Sequence, residues 1–370
     1  MKDLVIKQID NYASSIIEMG DALMAMPELG YKEVKTSTKI CEIFDAYDIP
    51  YETGFGITGV KATLEGNGDG PHICIIGELD AVPCVAHPLV DKESGAAHAC
   101  GHGAQLTNMI GAAIGIKQSG VMEKLPGKIS FFAVPAEEYI DLDFRRGLRE
   151  EGKIKYFGGK QQLVYEGAFD DIDIVMMVHA QPNTPDASVF LHGGSLGFVE
   201  KQITFKGKAA HAAYPFTGVN ALNAAALAIL GMHTNRERFR EEDRIRVHPI
   251  ITKGGDVVNT VPDEVCMDSY VRGANFVAIK NASADTDRAI HGAAAMVGAE
   301  AEVKTTTGYF PLQQDRNLGN LFGEMAKDLV PETNIFSGID MVGSSDIGDI
   351  SQLMPTIQPM VGGFDGALHS

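Results

Sequence analysis

Three runs of apolar residues each end in side chains able to bind a metal ion, and no other feature of the chain constrains its fold as tightly. The runs are residues 73–80 (Ile-Cys-Ile-Ile-Gly-Glu-Leu-Asp), 129–138 (Ile-Ser-Phe-Phe-Ala-Val-Pro-Ala-Glu-Glu) and 174–179 (Ile-Val-Met-Met-Val-His). Each is continuous in hydrophobicity rather than alternating, as in a strand buried on both faces of a parallel sheet. In open α/β sheets ligands gather beyond the carboxyl ends of the strands, so the polar residues at the three ends are expected to converge on one crevice. A fourth cluster, His98-Ala99-Cys100-Gly101-His102, leads into an apolar helical pattern over residues 105–117. Together the four segments supply thiolate, imidazole and carboxylate, the donor set of a zinc-type site.

At 370 residues the chain exceeds what one hydrophobic core usually supports, so two domains are expected. A composition of 45% hydrophobic and 22% charged residues is that of an ordinary globular protein. No apolar run reaches the roughly 18 residues of a membrane helix. The start, Met1-Lys2-Asp3-Leu4-Val5-Ile6, lacks the pattern of a signal peptide, which gives a cytoplasmic expectation. The five cysteines, at 41, 74, 84, 100 and 266, are odd in number and show no CxxC spacing, against a disulfide framework. A formal charge of −18 disfavours nucleic acid and anionic membranes as partners. An anionic small substrate therefore needs a local basic group. The one dense basic stretch, residues 145–160, is interleaved with Glu150 and Glu151 and reads as a solvated surface segment.

Two helical patterns, over residues 3–25 and 33–47, are broken by Met26-Pro27-Glu28-Leu29-Gly30. Strand–helix alternation follows to about residue 183, the mark of a largely parallel sheet with helices on both faces. From there the pattern changes. Residues 198–205 alternate like a half-exposed strand, 218–232 form an Ala/Leu-rich helix, 246–252 and 265–272 read as strands, 284–297 as a helix and 301–306 as a strand. That β-α-β-β-α-β order is the ferredoxin-like split unit, inserted in the larger α/β domain. The expected organisation is a catalytic domain over residues 1–188 and 307–370, with an α+β lid or dimerisation domain over 189–306.

Glu137 and Glu138 are adjacent at a strand end, where an extended backbone points their side chains in opposite directions. One can then bind metal while the other serves as general base in metal-assisted hydrolysis, against the bland reading of a solvated acidic pair. Cys100 and His102 stand at a helix start, where the positive dipole end favours a thiolate, although a lone cysteine is usually inert and buried. His179 alone reads as a structural histidine. Glu78 and Asp80 share one side of their strand, and Asp80 is placed to orient a ligating histidine; the bland reading is strand-end solvation. Gly193-Gly194-Ser195-Leu196-Gly197 fits the G-x-S-x-G elbow of serine hydrolases, but an alternating strand pattern follows it where the elbow needs a helix, so it reads as a hinge.

These residues resemble a known group. Gly77-Glu78-Leu79-Asp80-Ala81-Val82-Pro83, His98-Ala99-Cys100-Gly101-His102, Pro135-Ala136-Glu137-Glu138 and His179 are similar to motifs of the two-metal amidohydrolases of the aminoacylase and carboxypeptidase superfamily. The aminobenzoyl-glutamate and indole-acetyl-amino-acid hydrolase branch is the nearest in pattern. The likeness continues through residues 207–213, 218–222, 254–263, 345–351 and 368–370. It implies two divalent ions per subunit, zinc or manganese, with Cys100 bridging them and His102, Glu138, His179 and His369 completing the ligands. It implies Glu137 as general base, His211 as an oxyanion donor to the neighbouring subunit of a homodimer built through the inserted domain, and Asn259 and Arg272 as holders of a substrate carboxylate. The implied activity is hydrolysis of an amide bond in a small N-acyl amino acid or dipeptide. The rival is a metal-binding or scaffold homologue with weak or no catalysis. Two departures favour the rival. Gly103 stands where the family commonly carries a polar or acidic residue, so weaker metal binding is expected. Family members continue past the last histidine, whereas this chain stops at Ser370, so His369 is expected to be loosely placed.

Overall fold

The computed structural model describes residues 1–338 and 340–370. The first two apolar runs and most of the third form adjacent strands. His72–Glu78 pairs in parallel with Lys128–Val134 on one side and Ile174–Met177 on the other. Thr356–Ile357 extends the sheet in parallel beyond Ile174–Met177, while Gly59–Glu65 and then Tyr51–Phe55 are added antiparallel beyond Lys128–Val134. The six-stranded sheet is therefore parallel over four strands and antiparallel at one edge. The third run is not one strand to its histidine. It stops at Met177, and His179–Pro182 begins a second sheet with Met360–Phe364, Val189–Leu191 and Ile335–Ser337.

Helices flank the main sheet because their apolar positions recur at helical spacing. Ala13–Met24 buries Ile16, Gly20 and Leu23, and Val34–Ala46 buries Thr36, Ile40, Ile43 and Phe44. His102–Ser119 is apolar around most of its circumference, and its Leu106, Met109, Ile110, Ala113 and Ile114 join Ile16, Leu23, Ile40, Ile43, Phe44 and sheet residues Val60, Ala62, Phe131 and Ala133 in one core. Each fully buried large side chain there contributes on the order of 1.5–3 kcal/mol. The first expected helix is broken at Tyr12 into Lys2–Asn11 and Ala13–Met24.

The chain divides into two compact units, one of Met1–Gly194, Gln313–Asp340 and Asp349–Ser370, the other of Ser195–Leu312 and Met341–Gly348. In the second unit Gly197–Lys206, Arg246–Lys253, Glu264–Gly273 and Glu300–Thr307 form an antiparallel sheet. Its order places Glu264–Gly273 between Arg246–Lys253 and Gly197–Lys206, with Glu300–Thr307 at the far edge, the ferredoxin-like arrangement. Helices Ala221–Thr234 and Phe276–Met296 supply Ala221, Ala224, Ala225, Ala228, Ala293 and Ala294 to its core, small residues that allow close packing. Asn220 and Asn275 cap them, accepting from Leu222, Asn223 and Ala278 backbone N–H groups. Ser195 is followed by strand Gly197–Lys206 and not by a helix, so it cannot form a nucleophile elbow.

One sequence expectation fails outright. The basic stretch 145–160 is not uniformly a solvated segment, because Arg145 and Lys160 are both fully buried. Arg145 donates to the Phe157 carbonyl at 2.7 Å and lies over the Tyr31 ring. Among the described residues no helix is long and apolar enough to cross a membrane, and all five cysteines are free.

Candidate metal centre

Five separate segments of the first unit bring their donors together. Cys100, His102 and His179 each present one donor atom within 4.8 Å of the others, as do Cys100, Glu138 and His369, and also Glu78, His102 and Glu137. Cys100 is common to the first two groups. Its place is set by Gly101, whose φ of +89° is a left-handed conformation that turns the chain into helix His102–Ser119. A Cβ at Gly101 would stand 2.9 Å from Ala180 Cβ, beside the strand that carries His179.

Both buried imidazoles have one nitrogen committed and one left over. His102 Nδ1 donates to the Asp80 carbonyl at 2.7 Å, with Asp80 Oδ1 3.3 Å away. His179 Nδ1 donates to the Ala180 carbonyl at 2.9 Å, which leaves Nε2 3.8 Å from Cys100 Sγ. Each Nε2 is thus the nitrogen left over for a ligand, oriented by a carbonyl on the opposite ring atom. Asp80 also accepts from the Glu138 backbone N–H at 2.9 Å, so one carboxylate braces two donor-bearing segments. His102 Nε2 and Glu138 Oε1 are buried and make no well-formed hydrogen bond, facing Glu78 Oε2 at 3.0 Å and His369 Nε2 at 3.3 Å. Imidazole, carboxylate and thiol donors facing one another fit a divalent cation.

Electrostatics follow from burial. Burial alone would raise the Glu78 carboxyl, but the Lys160 ammonium and the His102 ring hold it well below the ordinary range. Burial opposes a charged His102, yet Glu78 beside it holds the imidazole above its usual value. A divalent cation on Nε2 would take the place of that proton. Burial pushes His179 down and so keeps it neutral, the ligand form. Burial also pushes the Cys100 thiol up, with Glu138 adding to the effect against His102, so without metal this residue is a thiol and not the helix-start thiolate expected from its position. The Glu138 carboxylate, 3.3 Å from His369 Nε2, raises that half-exposed imidazole.

Glu137 and Glu138 diverge for a reason other than strand alternation. The strand ends at Val134, and Ala136 adopts φ of +53°, a left-handed conformation unusual for alanine. The turn is held from two sides: Ala136 N–H donates to Glu33 at 2.8 Å and Gly159 N–H donates to the Ala136 carbonyl at 2.9 Å. Glu137 is buried with Oε2 3.9 Å from His102 Nε2, and Glu138 faces Cys100 and His369. At Gly103 a Cβ would overlap Met24 Sδ, so the space for a larger residue at this helix position is filled by a methionine.

The remaining residues singled out in the sequence lie in the second unit. His211 pairs with Thr260 in a two-stranded ribbon, is exposed, and accepts at Nδ1 from the Ala213 N–H at 3.0 Å. Its neutral form therefore carries hydrogen on Nε2, free to donate. Asn259 is exposed on the same ribbon, where its carbonyl accepts from Ala212. Arg272 donates to Ser344 Oγ at 2.6 Å and lies over the Phe198 and Tyr270 rings. Sequence reasoning missed Lys160, whose Nζ stands 2.5 Å from Glu78 Oε1, and Gln105, which donates to Glu78 Oε2 at 2.7 Å. Lysine is so seldom fully buried that no local pattern marks it.

Comparison with known proteins places the chain among amide-cleaving relatives. The model of the M20 peptidase dimerisation domain matches residues 194–301. The Xaa-Arg dipeptidase of Mus musculus is 27% identical over 383 residues, covering 97% of this chain and 79% of its own. The N-acetylcysteine deacetylase of Bacillus subtilis is 28% identical, covering 87% and 82%. Among solved structures, the Bacillus subtilis YXEP protein, a dinuclear metal binding peptidase from the M20 family, shares the fold with a TM-score of 0.76 at 24% identity, covering 98% of this chain and 92% of that one. Matched to the M20 dimerisation domain over residues 194–301 and aligned over most of its length with a dipeptidase and a deacetylase, the chain is similar to the amide-bond hydrolases of the M20 group.

Proposed function

We propose that the chain hydrolyses the amide bond of a small N-acyl amino acid or dipeptide that carries a free carboxylate. The observation that carries this reading is the Cys100-centred pair of donor groups, Cys100–His102–His179 and Cys100–Glu138–His369. In this reading Cys100, shared by both groups, would hold two divalent ions, zinc or manganese, together with His102, Glu138, His179 and His369. When bound, such ions polarise an amide carbonyl and acidify the attacking water. Glu137, buried beside His102 and outside both Cys100 groups, takes the water's proton and returns it to the leaving amine. Asp80 and Glu78 orient His102. The dipeptidase and deacetylase names of the relatives support this substrate class.

The second unit supplies recognition. Arg272, steadied on two aromatic rings, offers its planar fork to the substrate carboxylate together with Asn259. His211, with its donor on Nε2, stabilises the oxyanion in the neighbouring subunit of a homodimer formed through residues 194–301. A panel of N-acetyl amino acids and dipeptides, each assayed with its methyl ester, tests the reading. Turnover of the free acids is expected, and Arg272→Ala should raise KM for them while leaving the esters little changed. Equal losses on acid and ester would remove the carboxylate from the account.

A further inference from the structure

We propose that Lys160 is a positioning residue of the metal centre: it neutralises Glu78, a carboxylate beside the ligating nitrogen of His102, and so sets how tightly the centre holds divalent cations. The inference rests on the metal-dependent reading above and concerns a residue that reading does not use. Lys160 is fully buried, and so is Glu78. Lys160 Nζ lies 2.5 Å from Glu78 Oε1 and Gln105 donates to Oε2 at 2.7 Å, so both oxygens are clamped. Clamped in this way, Oε2 stands 3.0 Å from His102 Nε2, the atom left for a metal by the Nδ1 bond to Asp80.

A buried ammonium is costly and packing alone does not call for one, because an apolar side chain fills such a space more cheaply. Charge supplies the reason. Glu78, Asp80, Glu137 and Glu138 crowd the donor atoms, and Cys100 adds a further negative charge once it gives up its proton to metal, while buried Arg145 acts on Asp80. Lys160 offsets the charge of Glu78, whose Oε2 is 3.0 Å from His102 Nε2. Without it, Glu78 is an unpaired carboxylate within reach of an ion on His102, and the open coordination position that catalysis needs is at risk of closure. The position of Lys160 is also fixed to the catalytic turn. The preceding residue, Gly159, donates to the Ala136 carbonyl at 2.9 Å, and a Cβ there would overlap the Pro135 carbonyl oxygen.

The test is cobalt(II) titration of metal-stripped protein, followed by visible absorption and by the metal-induced rise in Tm. Lys160→Met should bind cobalt tighter by roughly tenfold or more. Its visible absorption should weaken as Glu78 adds to the coordination, and kcat should fall with little change in KM. Lys160→Arg, which keeps the charge, should restore wild-type affinity. Lys160→Met combined with Glu78→Gln removes both charges, should also return to wild-type affinity, and serves if the single variant does not fold without metal. Unchanged or weaker cobalt binding by Lys160→Met, or by the double variant equal tightening, overturns the proposal. A wild-type chain that binds no cobalt at all would overturn the metal-dependent reading itself, and this one with it.

Discussion

Burial decides what each donor of the centre does before a metal arrives. Cys100 lies ahead of the helix start at His102, yet low polarity and the Glu138 charge raise its thiol instead of releasing the proton. Metal binding must therefore displace that proton, and apparent affinity should rise with pH, by about tenfold per unit for each proton displaced. Calorimetry in buffers of different ionisation enthalpy counts the protons: Cys100→Ser should release one fewer per chain than the wild type, and equal release would mean that Cys100 does not ligate. The adjacent glutamates should separate by function. Glu137→Gln is expected to keep its metal and lose kcat by roughly a hundredfold or more, whereas Glu138→Gln should lose metal as well; the reverse pattern in metal analysis would exchange their roles. Cys100, His102, Glu137 and Glu138 stood out in the sequence because such residues at the ends of apolar runs are uncommon, whereas His179 by itself read as structural and His369 entered only through resemblance. Lys160 and Gln105 did not stand out, since their importance comes from partners 82 and 27 residues away.

At the scale of elements, the strands were legible in their hydrophobicity and the turns between them were not. The break after Met177, which hands His179 to a second sheet, has no marker in Ile-Val-Met-Met-Val-His. Nor does the left-handed Ala136, which depends on a buried Glu33 that accepts from Ala136 N–H and from Thr58 Oγ1 at 2.7 Å. Burial, with Asp80 nearby, raises the Glu33 carboxyl to about 7. A folded-state value above the unfolded one means a stability contribution that is full below pH 4.5 and lost as pH rises through about 7. The loss across that window is of the order of 3 kcal/mol. Denaturant unfolding of metal-free protein should show it as a difference: Glu33→Gln should lack this part of the decline between the two pH values. Parallel pH profiles for variant and wild type would show that Glu33 does not titrate there.

For the whole molecule, the split β-α-β-β-α-β order was legible because its helices and strands differ sharply in period, and the sheet order bears it out. The part proposed for His211, like those of Asn259, Arg272 and His369, came only through resemblance. An exposed histidine with a fixed tautomer suits a donor that acts on another subunit. Mixing inactive His211→Ala with inactive Glu137→Gln chains should restore part of the activity once subunits exchange, because a mixed dimer then holds one complete site. No recovery after demonstrated exchange would confine His211 to its own chain. The central claim, amide hydrolysis by a two-metal centre on Cys100, is tested most directly by titrating metal-stripped protein with manganese or zinc while following hydrolysis of an N-acyl amino acid. The account predicts no turnover before addition and activity that reaches its plateau at two ions per chain. Full activity in excess chelator would contradict it.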